Sequence, residues 1–248
     1  MPAGRDTTLP SITRRLVWLG LALLAVDAFF LLADMLHRLH ITRGIFPTFA
    51  HPLWEGDPDG SLLEIWGYVK AVAGGIALIW LWRRLHAAPV LLVAGCILFF
   101  IAADDSLRLH EEIGGAIAWN LGFPAMWNLR GQDFGELLFW AIIGSGLLAW
   151  LIIAFRRSAP QPRRIVWFLV PPLASLAFFA AIFDGIGPAS RQWGWSTRAR
   201  YLANWAESAG EQLSITALVL VIAYFVFLHL RNPGPRTTGT TGTQGVTD

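Results

Sequence analysis

PVLLVAGCILFFIAADDSL, residues 89–107, decides the fold. From Pro89 to Ala103 no side chain carries a charge. The stretch is as long as a helix rising about 1.5 Å per residue needs to be to cross a hydrocarbon core of about 30 Å. Barrel strands would be about half that length. Outward from it the same pattern recurs, and apolar blocks fall at 16–36, 62–82, 89–107, 134–155, 165–183 and 206–230. They predict an all-α polytopic bundle of six transmembrane helices over 16–230. A cytoplasmic segment, 1–15, precedes it, and a Gly/Thr-rich tail, 231–248, reads as disordered and cytoplasmic.

Composition agrees. A chain of 248 residues that is 55% hydrophobic and 15% charged, with a mean hydropathy of +0.51, is too apolar for an ordinary soluble domain. Of its 19 basic residues only Lys70 is a lysine, and the pI is about 9.1. In such a chain the arginines report topology first, so no nucleic-acid partner is expected. Cys96 is the single cysteine, which excludes an intrachain disulfide and a cysteine metal cluster. Arg5, Arg14 and Arg15 followed by an apolar run resemble a signal peptide, with Ala25-Val26-Asp27-Ala28 as a loose cleavage site. The run continues through Phe29 to Leu32, however, which suits a retained anchor.

Arginine placement gives the orientation. The N-terminal segment, the turn at 83–88, the turn at 156–164 and the segment after 230 hold most of the basic residues, so they and both termini are expected in the cytoplasm, as in a bacterial inner-membrane protein. Arg191, Arg198 and Arg200 run against this rule. The loops 38–60, 108–133 and 185–205 then face outward, and their tryptophans read as an interfacial belt. Pro171 and Pro172 donate no backbone hydrogen bonds and are expected to kink or break the fifth span.

The acids concentrate on one side. Apart from Asp6 and Asp248, they lie within spans or toward outer ends: Asp34, Glu64, Asp104 and Asp105, Glu136, Asp184, Glu207 and Glu211. Asp27 lies deeper, and Lys70 and Arg108 read as the in-span cations. Asp27 with Asp34, Asp104 with Arg108 and Glu111, and Glu207 with Glu211 and Ser214 share helix faces. Such polar stripes should turn away from lipid. So many carboxylates must hold protons, recruit arginines or bind a cation. Carboxylates with a histidine make a plausible divalent-metal shell, and His110 precedes Glu111. On a continuous helix His110 points roughly 120° away from Asp104, so a shared ion requires the helix to unwind near there. Gly114 and Gly115 would permit that. His37 and His40 are weaker candidates, while His86 and His229 read as structural.

The run Asp104-Asp105-Ser106-Leu107-Arg108-Leu109-His110-Glu111-Glu112 resembles a motif of a group of uncharacterised bacterial multi-pass membrane proteins. In that group an acidic pair precedes His-Glu, an aspartate ends a later span, and spaced glutamates open the last one. Phe183-Asp184-Gly185 and Glu207-Ser208-Ala209-Gly210-Glu211 match the later elements, though Ser208 stands where a second glutamate is expected. The resemblance marks positions and implies no activity.

These features point to a carboxylate-rich site in the outer half of the bundle, with Asp104, His110, Glu111, Asp184, Glu207 and Glu211 as ligands of a divalent cation. Asp104, His110 and Glu111 would be the catalytic groups, with Arg108 holding an anionic group, in hydrolysis or transfer on a lipid or lipid-linked substrate. One alternative is a transporter component carrying protons or cations on Asp27, Lys70, Asp104 and Glu211. Another is a structural or assembly subunit whose acids are hydrated at the interface or paired with arginines. There is no phosphate loop, no Gly-x-Ser-x-Gly and no His-Glu-x-x-His.

Overall fold

A computed structural model describes residues 9–56, 60–126, 129–180, 190 and 193–231. Among them the chain is all-helical: α1 Leu9–Arg43, α2 Leu62–Arg84, α3 Pro89–Leu107, α4 Leu109–Leu121, α5 Gly131–Arg157, α6 Pro160–Phe178 and α7 Thr197–Arg231. Two single 3₁₀ turns, Pro47–Phe49 and Pro52–Trp54, interrupt the connection after α1. Five helices, α1, α2, α3, α5 and α7, are long and apolar enough to cross a membrane, so the chain is a multi-pass integral membrane protein. In α6 the apolar run begins only after Arg163 and Arg164, and its expected end at Phe183 lies outside the described residues. So do 1–8 and the tail beyond 231.

Local chemistry sets the helix limits. The Ser61 hydroxyl accepts the Glu64 backbone N–H and caps α2, and Pro89 opens α3, where a missing N–H costs nothing. The Arg130 backbone N–H donates to Asp133 Oδ2 at 2.7 Å at the start of α5. Of the kink or break expected at its prolines, the break does not occur: α6 runs unbroken past Pro171 and Pro172 to Phe178. The two hydrogen bonds they forfeit belong to the carbonyls of Trp167 and Phe168, whose side chains lie on the exposed face.

Spans that follow one another in the chain alternate in direction. Gly20 faces Leu220 while the Trp205 indole donates to Leu31 O, so α1 and α7 are antiparallel. Gln212 donates to Leu63 O and Trp80 stacks on His229, so α2 and α7 are parallel. Gly75 and Gly95 bring α2 and α3 together antiparallel, close enough that a Cβ on Gly95 would lie 2.9 Å from Gly75 O. Ser175 meets Ser214 and Phe168 meets Phe225, so α6 opposes α7. The two arginine-rich turns touch: Ala159 N–H donates to Ala87 O and Val90 N–H to Ser158 Oγ. One end of the bundle therefore gathers Arg14, Arg15, Arg83, Arg84, Arg156, Arg157, Arg163, Arg164 and Arg231. Toward that end lies a dry core of Leu78, Leu81, Leu91, Leu169, Leu218 and Ile222. Buried polar side chains gather in the other half.

Candidate functional site

The helix that begins at Pro89 breaks at Arg108, between Asp104 and His110 and ahead of the Gly114-Gly115 pair that the sequence offered for unwinding. Arg108 takes a left-handed conformation, φ 54 and ψ 38, which ends α3 and starts α4 one residue later. The segment 108–133, expected as an outer loop, thus holds a helix. The break turns His110 back over Asp104. Asp104 is fully buried; its Oδ1 accepts the His110 backbone N–H at 3.0 Å, and its Oδ2 lies 2.9 Å from His110 Nδ1. One carboxylate therefore caps α4 and fixes the imidazole.

The hydrogen bond to Asp104 is the main cause holding His110 well above the ordinary histidine range, at about 9. Burial opposes the shift, and the charges of Asp104, Asp105 and Glu136 add to it. His110 is therefore an imidazolium at neutral pH. The folded protein keeps this proton up to about pH 9, whereas the unfolded chain releases it near 6.5. Its stabilising contribution is full below about pH 6.5 and is lost as pH rises through 9. Wild type is expected to exceed His110→Gln in stability by about 2 kcal/mol near pH 6 and by little near pH 10. Thermal melts across that range test it, and a gap independent of pH would refute the ion pair.

Asp104, Asp105 and His110 offer ligand atoms within 4.8 Å of one another, and among the described residues they form the one such group of three or more. Of the expected ligands, Glu111 stands outside it and pairs with Arg108. Glu207 and Glu211 are half-buried on α7 and are not in the group, and Asp184 lies outside the described residues. Asp105, which sequence reasoning counted among the acids without making it a ligand, is a member. Glu136 was also passed over as a site residue. It reaches the site because Gly114 has no side chain: a Cβ there would lie 2.7 Å from Glu136 Cγ. The Gln132 amide donates to Glu136 Oε1 at 2.8 Å. His110 also approaches the half-exposed Trp140 ring, with centroids 6.4 Å apart.

The deeper acids are paired. Asp27 sits where α1, α2 and α7 meet, and Oδ1 accepts from Lys70 Nζ at 2.7 Å and from the Trp66 indole at 2.7 Å. Oδ2 accepts from Thr216 at 2.6 Å. The Lys70 ammonium uses its other donors on Gln212 O and Thr216 Oγ1, both at 2.9 Å. Asp34 takes Arg38 Nε, 3.0 Å from both oxygens, and the Gly56 N–H. Arg38 thus joins Lys70 as a buried cation, against expectation, because α1 continues to Arg43, whereas Arg108, expected within a span, is exposed at the break between α3 and α4. The i, i+4 spacing of Asp34 and Arg38 was the signal for that pair. His37 and His40 place Nδ1 2.7 Å from Phe49 O and 3.1 Å from Ile45 O, fastening the following loop to α1.

No curated protein and no solved structure matches the chain. A family model described as a domain of unknown function, DUF8692, matches residues 16–228, and the chain belongs to that family.

Proposed function

We propose that this is a bacterial plasma-membrane protein of six crossings, with both termini in the cytoplasm and a divalent-metal site in its outer half. The proximity of the Asp104, Asp105 and His110 ligand atoms carries the reading. Supporting the topology, α6 opposes α7 in direction, and the arginine-bearing helix ends gather on one side, where the positive-inside bias puts the cytoplasm. The Asp105 carboxylate and the His110 imidazole suit a borderline cation such as zinc or manganese. The buried Asp104 beside His110 Nδ1 matches the carboxylate that orients a metal-bound histidine. Bound there, the cation would polarise an oxygen or supply hydroxide, and Asp105 and His110 would hold it. The exposed Trp140 ring beside His110 supports a site open toward the side of α5, and with it a lipid or lipid-linked substrate for hydrolysis or transfer.

Metal must displace the His110 proton, so affinity should rise with pH up to about 9. Detergent-purified wild type is expected to carry near-stoichiometric metal by mass spectrometry. Asp105→Asn and His110→Gln, with melting curves that show them folded, are expected to lose it. A metal-free wild type, after incubation with zinc and manganese at pH 8, sinks the reading. The paired state of Asp27, Asp34 and Glu111 favours structural work for those acids. It also weighs against a proton path through Asp27 and Lys70, whose donors and acceptors are engaged internally.

A further inference from the structure

Two arginines at the outer end of the α1–α7 pair keep buried N–H groups without acceptors. Arg38 spends Nε on Asp34 and lies over the Tyr201 ring, 5.2 Å from its centroid. Although Arg38 is only 8% exposed, its Nη2 has no hydrogen-bond partner. Arg200, the neighbour of Tyr201, buries its Nε in the same condition. A buried charged donor left unsatisfied is costly, and native structures rarely keep one without a water or ligand. The carboxylate paired with Arg38 is already engaged elsewhere, since Asp34 Oδ1 also accepts the Gly56 N–H. Arg198 and Arg200 stand close together in the first turn of α7. These are also two of the arginines that contradict the positive-inside bias, which asks for another reason for them to be there. Leu32 and Met35 on α1 and Leu202 on α7 are exposed beside the junction, where acyl chains would lie.

We propose that this junction binds a phosphate group, with Arg38 Nη2 and Arg200 Nε as donors. The planar guanidinium fork suits phosphate oxygens, and a phosphate at the membrane surface supplies the acceptors that these two N–H groups lack. The exposed leucines and methionine favour an anionic lipid as its source over phosphate from solution. The site is separate from the Asp104 group and does not depend on a metal there.

Melting of the full-length protein in phosphate-free alkyl maltoside micelles, with and without phosphatidylglycerol or inorganic phosphate, tests it. Phosphatidylglycerol is expected to raise the wild-type melting temperature by about 5 °C. That gain should vanish in Arg200→Gln and in Arg38→Lys, which keeps a charge for Asp34 but has no Nη2. Arg84→Gln, at the opposite end, should retain it. A shift with inorganic phosphate alone, lost in the same two variants, supports the phosphate site and assigns it to the free ion. No shift with either probe, or an equal shift in Arg200→Gln, overturns the proposal and leaves water as the acceptor.

Discussion

Replacing Lys70 with methionine is expected to destabilise the protein by about 3–5 kcal/mol, the range for removing one partner of a buried ion pair. The loss comes less from the attraction than from what remains. Asp27 would stay 1% exposed at a junction of three helices, holding hydrogen bonds from Trp66 and Thr216 but no countercharge. Asp27→Leu should cost a similar amount, because it strands the ammonium. The double variant Asp27→Leu with Lys70→Met is expected to recover more than half of either loss, since an apolar pair of similar volume carries no desolvation penalty. Incomplete recovery is expected, because the Trp66 indole and the Thr216 hydroxyl lose their acceptor. Reversible unfolding in mixed micelles measures all four proteins. A Lys70→Met variant as stable as wild type would deny the pair a structural role and revive a proton path through it.

Hydropathy made the spans legible where the apolar run and the helix end together. The third span was predicted at 89–107 and α3 has those limits, because Pro89 starts it and Asp104 and Asp105 close the apolar run just before Arg108 turns left-handed. It misjudged α1 and α7, which extend to Arg43 and begin at Thr197. There the chain turns polar while the helix continues, held by pairs such as Asp34 with Arg38 that a hydropathy window counts only as charge. It missed α4 for a related reason: two glycines in the segment 109–121 were read as freedom to unwind. In the fold the unwinding falls at Arg108, and Gly114 is helical and buried against α5. The candidate site was half legible. Asp104 and His110 stood out as residue types near a helix end, and their spacing made a break between them a condition for sharing an ion. Asp105 and Glu136 entered only through α3–α4–α5 packing, which sequence periodicity does not encode. The Thr216 and Gln212 partners of Lys70 were hidden for the same reason: they are about 140 residues away in the chain.

Gly135→Val is expected to undock α4 from α5, with a destabilisation of about 3 kcal/mol or more. The two helices meet backbone to backbone. A Cβ on Gly135 would collide with the carbonyl oxygen of Gly114 and lie 3.1 Å from the Ala118 methyl, and a Cβ on Gly131 would collide with Phe123 O. These obstacles are main-chain atoms of a packed helix, so no rotamer change relieves them; α4 itself must move. Such close approach through small residues is how helices associate in lipid, where the hydrophobic effect gives no drive between them. Because α4 carries His110 while Glu136 and Trp140 sit on α5, displacement should also weaken the His110 pair with Asp104. The expected result in Gly135→Val is faster amide exchange over 109–121 and a loss of the extra stability below about pH 9. Gly146→Ala is the matched control on the same helix, since nothing lies within 4 Å of a Cβ there, and it should leave both readouts unchanged. Unchanged exchange over 109–121 in Gly135→Val would mean that α4 is held by contacts other than this one. An altered pH profile with unchanged exchange would place the effect on α5 alone, through Glu136, which lies next to the substituted position. The two measurements thus separate a site built by helix docking from one built on α5.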